Sequence, residues 1–235
     1  MAVNFNMTCV ILQPSYIPWR GYFHQIQKAD VFVFYDDVQY DKHGWRNRNR
    51  IKTSQGSQWL TIPVKKKGNV EQHRAIQDIE ISWERPWSQK HHSALQQAYQ
   101  HAPFFQDWAP FLDEVYMQRP THLAPFIIEV TIELARRLGI SHTRFLRSSE
   151  LNLPGYRTER LISIVRHLNC DRYLSGPSAK EYLEEPLFEK AGITLEYMKY
   201  DYAEYPQLHP PFDPQVSILD LLFMTGPSAA KYIWG

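Results

Sequence analysis

Two short, unbroken apolar runs near the start of the chain constrain its fold more than any other feature. Thr8-Cys9-Val10-Ile11-Leu12 ends at Gln13-Pro14, and Asp30-Val31-Phe32-Val33-Phe34-Tyr35 ends at a pair of acids, Asp36 and Asp37. Short runs without polar alternation suit strands buried on both faces, as in a parallel sheet. Between them, the stretch from Trp19 to Ala29 places Tyr22, Phe23 and Ile26 at helical spacing. The three segments make a βαβ unit, whose crossover is right-handed in nearly all sheets.

The remainder of the chain extends this pattern. Trp59 to Val64 reads as a further strand whose Pro63 sits at an edge or bulge, followed by a solvated loop at Lys65-Lys66-Lys67-Gly68. Prolines then punctuate a helical stretch. Pro86 opens a helix over 86–101, Pro103 starts another, and Pro110 shortens or kinks it. Thr121 can cap a helix to Leu138 whose Leu123, Phe126, Ile127, Val130 and Leu134 form one stripe, with Gly139 just past its end. Strands near 143–147, 172–175 and 193–198 alternate with helices near 158–168, 178–190 and 216–224. The expected fold is α/β: a mainly parallel, Rossmann-like sheet with helices on both faces, in one domain over 1–235 with a helical insertion at about 86–138.

Composition narrows the function classes. A net charge of +1 argues against a general polyanion surface, and so against nucleic acid as partner. Basic character is local instead. Aromatic residues reach 14%, with 7 Trp and 14 Tyr, more than a core of this size needs, so some are free to line a pocket for a sugar or base. Cys9 and Cys170 are the only cysteines and lie outside any metal-ligand spacing; they read as small buried hydrophobes in a reducing compartment. With no signal-peptide pattern and no membrane-length apolar run, a cytoplasmic location is expected.

The chemistry concentrates where strands of a parallel sheet end and their loops converge. Gln13-Pro14-Ser15-Tyr16-Ile17-Pro18-Trp19-Arg20-Gly21-Tyr22 follows the first strand, Asp36-Asp37-Val38-Gln39 the second, and Ser175-Gly176-Pro177-Ser178-Ala179-Lys180 a later one. The first loop either packs its aromatics beneath a stiff turn or presents helix N–H groups to a phosphate, with Tyr16 and Trp19 as stacking surfaces. The acids serve as general base or Mg²⁺ ligands, or else as internal counter-ions of Arg46 or Arg48. His91, on the middle helix beside His92, is a further acid–base candidate. At the other end of the chain, Ser217 and Asp220 suit a cap and its reciprocal partner.

The densest cluster is Trp45-Arg46-Asn47-Arg48-Asn49-Arg50-Ile51-Lys52. If it is extended, Arg46, Arg48, Arg50 and Lys52 share one face and Asn47, Asn49 and Ile51 the other. Four cations along one edge require an offsetting anion, supplied by the protein's own carboxylates or by a ligand's phosphate or carboxylate.

These segments, in this order, resemble the WbqC-like protein family: Gln-Pro-Ser-Tyr-Ile-Pro-Trp-Arg-Gly-Tyr-Phe at 13–23, Asp-Asp-Val-Gln-Tyr at 36–40 and Trp-Arg-Asn-Arg-Asn-Arg-Ile-Lys at 45–52. Trp59 to Val64, Tyr173 to Gly176 and Ser217 to Phe223 extend the likeness over nearly the whole chain. The resemblance implies a role in bacterial O-antigen and related surface-polysaccharide biosynthesis, with glycine transfer proposed for some members. A second likeness is local: Trp19-x-Gly21-Tyr22 has the spacing and placement of the His-x-Gly-His motif of nucleotidylyltransferases, with both histidines replaced.

The expected function is therefore a transferase that adds an aminoacyl or similar small group to a nucleotide-activated or lipid-linked sugar. Arg46, Arg48 and Lys52 neutralise the donor's phosphates, Asn47 and Asn49 orient polar groups, and Asp36 or Asp37 acts as base or metal ligand. The alternatives are a noncatalytic nucleotide-sugar-binding scaffold for glycan-assembly enzymes and a nucleotidylyltransferase-like enzyme without its histidines.

Overall fold

The computed structural model describes residues 6–65 and 74–235, so the turn expected at Lys66-Lys67-Gly68 lies outside the described residues. In chain order the strands are β1 (Thr8–Leu12), β2 (Val31–Phe34), β3 (Arg48–Thr53), β4 (Gly56–Thr61), β5 (Arg144–Arg147), β6 (Arg172–Ser175) and β7 (Thr194–Tyr197). The helices are α1 (Arg20–Lys28), α2 (Trp87–Tyr99), α3 (Phe105–Met117), α4 (Leu123–Arg137), α5 (Ser148–Leu151), α6 (Arg157–His167), α7 (Glu185–Ala191) and α8 (Ile218–Thr225).

Five strands form one sheet in the order β5-β2-β1-β6-β7, and every pairing in it is parallel. Alternation divides the core between its two faces. Val10, Phe32 and Phe34 face α1, the helices α2 to α4, and α8, whereas Cys9, Ile11, Val31 and Val33 face α6 and Phe188 of α7. The apolar runs of β1 and β2 are continuous because both of their faces are covered. Cys9 and Cys170, far apart in sequence, are both buried beneath the second face.

Three expectations need correction. Trp59 to Val64 does not join the main sheet: β4 ends at Thr61 and pairs antiparallel with β3 as a separate hairpin, and Val64 forms only an isolated bridge to Ile81. The helix expected over 178–190 is broken into a 3-10 stretch, Pro177–Glu181, and α7, because Pro186 in the first turn of α7 disfavours a helical conformation just before it. The N-cap of α4 is His122, without a capping side chain; the Thr121 hydroxyl bonds the His122 ring at 3.0 Å instead.

Topology decides where a ligand can sit. The chain moves from β1 outward to β2 and β5, then returns past both to place β6 on the other side of β1. The crevice between the carboxyl ends of β1 and β6 is thus the switch point of the sheet, where open α/β folds bind ligands.

Candidate functional site

A cavity of about 1140 Å³ opens at that switch point. It is larger than the roughly 300–1,000 Å³ usual for small-molecule sites, which leaves room for a ligand of two parts. The end of β1 contributes Leu12 and Gln13, the residues after β6 contribute Gly176 to Ser178, and the hairpin contributes Trp45, Arg46 and Asn49. Helices of a parallel sheet begin at the carboxyl edge of its strands, so the starts of two of them reach the rim, α1 through Pro18 and Trp19 and α6 through Arg157 and Thr158. Both helix starts favour negative charge.

The loop that shapes one wall is strained and pinned. Ile17 has φ 37°, a left-handed conformation costly for a β-branched residue. Asn49 holds it there, donating from Nδ2 to the carbonyls of Tyr16 at 3.0 Å and Ile17 at 2.9 Å, while the Tyr16 N–H donates to the Trp45 carbonyl at 3.3 Å. Gly21 is required beside it, because a Cβ there would overlap the Trp19 indole. The indole lies edge-on to Tyr200 with centroids 4.9 Å apart, and both rings line the cavity.

Two polar groups in this wall have unspent hydrogen-bonding capacity. Arg46 donates to the Gln13 side-chain oxygen, its buried Nε has no partner, and it makes no ion pair among the described residues. Burial lowers its pKa from the ordinary arginine value, against the opposing pull of Tyr22, the Asp41 carboxylate and Tyr40. Gln25 is buried, donates from Nε2 to the Tyr200 hydroxyl at 2.8 Å, and leaves its Oε1 without a donor. A buried acceptor left unpaired costs on the order of 1–3 kcal/mol, so a ligand hydroxyl placed there would recover that cost.

Of the residues singled out in the sequence, Gln13, Trp19, Tyr22, Trp45, Arg46, Asn49 and Gly176 line this cavity. The others do not. Arg48 donates to the His43 carbonyl and lies 4.6 Å over the Trp59 ring; Lys52 is buried, with its ammonium on the Pro211 carbonyl. Burial alternates as expected from Arg46 to Ile51, but Lys52 is buried beside Ile51, and of the four cations Arg46 alone lines the cavity. Asn47 bonds the Ile62 carbonyl at 2.8 Å, a structural staple where a ligand contact was expected. Gln39 is exposed and bridges Ala75, Ser175 is buried at the end of β6, and the Lys180 ammonium lies 4.9 Å over the Tyr197 ring.

The acids expected to be catalytic are committed elsewhere. Asp36 is fully buried and accepts from Arg147 Nε at 2.7 Å, Ser149 N at 3.1 Å and Ser149 Oγ at 3.0 Å. Asp37 accepts from Ser148 Oγ at 2.6 Å and pairs with Arg160. Their counter-ions are Arg147 and Arg160, in place of Arg46 or Arg48, and together they tie β2 to the start of α5. They are poor Mg²⁺ ligands for that reason, and no group of three or more metal-ligating acids, histidines or cysteines occurs among the described residues. Among the described residues, those at the cavity do not fit a protein-held metal.

His91 is buried away from the cavity, with Nδ1 2.9 Å from the Tyr16 hydroxyl, which is 2.6 Å from that of Tyr116. Burial pushes the His91 pKa down to about 4. Tyr16 is likewise wholly buried and offers no stacking face. The expected cap at Ser217 is present, its Oγ accepting from Leu219 N at 3.3 Å, but Asp220 is no reciprocal partner. It lies buried, accepting from the hydroxyls of Tyr99 at 3.4 Å and Tyr205 at 3.3 Å.

Sequence reasoning missed Arg157, Gln25, Tyr200 and Glu181, all of which line the cavity. Arg157 was within reach: the first residues of a helix that follows a parallel strand must lie on the ligand-binding edge, and Gly155 (φ 121°) just ahead of it marks a turn. Glu181 is the one acid among the lining residues, at the end of the 3-10 stretch after β6.

Comparison with known proteins agrees with this geometry in extent. A protein of Mycobacterium tuberculosis (strain ATCC 25618 / H37Rv) described as "Uncharacterized protein Rv1507c" is 42% identical over 225 residues, covering 95% of this chain and 96% of its own length. No solved structure gives a match. No helix among the described residues is long and apolar enough to cross a membrane. The WbqC-like protein family matches from residue 13 to residue 232, from the first cavity residue after β1 almost to the last residue of the chain, and the chain belongs to that family.

Proposed function

We propose that the cavity binds a nucleotide-activated sugar and that the protein transfers an aminoacyl or similar small group to a sugar during assembly of bacterial surface polysaccharide. The observation that carries the binding half is the pairing of an arginine whose buried Nε has no partner, Arg46, with the orphaned acceptor of Gln25 inside one aromatic cavity at the switch point. Arg46, Arg157 and the starts of α1 and α6 meet the diphosphate, Trp19 and Tyr200 flank a ring, and Gln25 Oε1 accepts from a hydroxyl. The transfer half rests on family membership. Glu181 serves as the base that takes the proton from the sugar hydroxyl or amine as it adds to the carbonyl of a glycyl adenylate, made from glycine and ATP with loss of pyrophosphate, and AMP leaves; Asp36, Asp37 and His91 lie in other bonds.

Trp19 and Tyr22, at the positions of the nucleotidylyltransferase histidines, do line the cavity. Neither can carry the positive charge that adenylyl transfer needs, so that charge falls to Arg46 and Arg157. One observation favours the noncatalytic scaffold as a second reading: the cavity holds a single acid and no histidine among its lining residues. Incubation with UDP-N-acetylglucosamine, glycine and ATP, followed by mass spectrometry, separates the two. A mass gain of one glycyl group, lost in Glu181→Gln, supports transfer; saturable binding with the sugar recovered unchanged supports the scaffold.

A further inference from the structure

Beyond the cavity, the β3–β4 hairpin carries a second group of aromatic and cationic side chains. Trp45 and Trp59 are 39% and 44% exposed, two of the few large hydrophobic residues left open to solvent, and their rings are 5.2 Å apart. Arg48 lies 4.6 Å over Trp59, and Arg50, directly opposite Trp59 in the ladder, lies 5.7 Å from its ring and 5.9 Å from that of Trp45. Arg48 has no carboxylate partner among the described residues, and Arg50 has only Asp213 at 3.9 Å. The period of two puts Thr61 on the same face as Trp59, with Arg48 opposite it, and all of β4 except Leu60 is exposed.

This platform joins the cavity. Trp45 belongs to both, and Gln215, whose Oε1 accepts from Arg50 at 3.1 Å, also lines the cavity wall. A polymer lying across the hairpin therefore reaches the cavity mouth at Trp45.

We infer that the hairpin is an extended subsite beside the cavity and that its occupant is an anionic oligosaccharide, a chain carrying uronate carboxylates. Indoles offer flat apolar faces to sugar rings, Thr61 bonds a hydroxyl, and Arg48 supplies the charge a uronate requires. The charge balance distinguishes this occupant from single-stranded RNA. Two arginines beside Asp213, on a chain of net charge +1, match a sparsely charged polymer better than one with a phosphate at every residue. The assignment rests on the reading of the cavity as the nucleotide-sugar site, but its test does not.

The test uses the full chain and three probes in calorimetry: a hexasaccharide alternating glucuronate with N-acetylglucosamine, the same hexasaccharide with its carboxyls reduced, and hexauridylate. UDP-N-acetylglucosamine is titrated separately. Wild type is expected to bind the acidic hexasaccharide saturably, and Trp59→Ala to weaken it about tenfold, worth about 1.4 kcal/mol. Arg48→Gln should erase the preference for the acidic over the reduced hexasaccharide. Both variants should keep wild-type circular dichroism and wild-type affinity for the nucleotide sugar, because neither residue lines the cavity. Arg46→Met should do the reverse, losing the nucleotide sugar and keeping the hexasaccharide. Absent hexasaccharide binding, unchanged affinity in Trp59→Ala, or tighter binding of hexauridylate overturns the assignment, whatever the nucleotide sugar does.

Discussion

Arg46 donates to the side-chain oxygen of Gln13, so the first residues of the basic segment are fastened to the loop that leaves β1. The bond holds one guanidinium at the switch point, while Arg48, Arg50 and Lys52 are held by other partners. Replacing Gln13 with Ala should leave the fold intact and free the guanidinium to move. Affinity for a nucleoside diphosphate sugar should fall about tenfold, the equivalent of one neutral hydrogen bond of about 1–1.5 kcal/mol, measured by calorimetry.

Asn49 is expected to matter for stability more than for contact with a ligand. Asn49→Ala strips the Tyr16 and Ile17 carbonyls of their donor and releases a residue with φ 37°. The loss should be about 2–4 kcal/mol in urea unfolding, since unsatisfied buried polar groups cost roughly 1–3 kcal/mol each. Restoring wild-type stability by adding nucleotide sugar would show that the loop re-forms around the ligand.

Asp36 should behave as a structural residue. Asp36→Ala removes the buried carboxylate that holds Arg147 and the first turn of α5, and should cost about 3–5 kcal/mol, as breaking a buried pair does. Asp37→Asn, with its partner Arg160 on α6, should cost less. Full transfer activity in folded Asp37→Asn is expected, and its loss would return that acid to the reaction.

Burial pulls the pH dependence of stability in opposite senses, through His91 and the half-buried His24, both lowered to about 4, and through Asp220. Burial lowers the His91 pKa to about 4, so between the unfolded value near 6.5 and about 4 the unfolded chain takes up a proton that the folded chain refuses. Stability from this source falls as the pH falls. Burial raises the Asp220 pKa to about 7, against hydrogen bonds from Tyr205, Gln207 and Tyr99 and the charge of Lys52, so between about 7 and 3.8 the folded chain keeps a proton that the unfolded chain releases. Stability from Asp220 therefore rises as the pH falls and offsets part of the loss from the two histidines. Asp220→Asn should steepen the loss of stability as the pH drops from 6 to 4.5, and His91→Gln should make it shallower, each by about 1.4 kcal/mol per pH unit. Parallel pH profiles of urea unfolding for wild type and both variants would contradict this.

The main sheet and its edge were legible because β1 and β2 are apolar on both faces, a pattern few other arrangements permit. The converging loops followed from the same reasoning, and seven of the named residues do meet there. The division of labour was not legible. Alternation put Arg46, Arg48 and Lys52 on one face, but the partner each finds, the His43 carbonyl for Arg48 and the Pro211 carbonyl for Lys52, decides which of them sees the cavity. Asp36 and Asp37 found Arg147 and Arg160 more than a hundred residues away, partners that no local pattern announces. Tyr16 and His91 were read as surface chemistry and are core, because buried polar side chains that satisfy one another carry the same residue types as a site.

The most direct test titrates UDP-N-acetylglucosamine into wild type, Arg46→Met and Arg48→Met, followed by tryptophan fluorescence. Loss of one charge-assisted contact of about 1.5–3 kcal/mol should weaken binding about 10-fold to 100-fold in Arg46→Met, while Arg48→Met binds as wild type. Equal affinity in all three proteins, or loss in Arg48→Met alone, would contradict a cavity organised around Arg46.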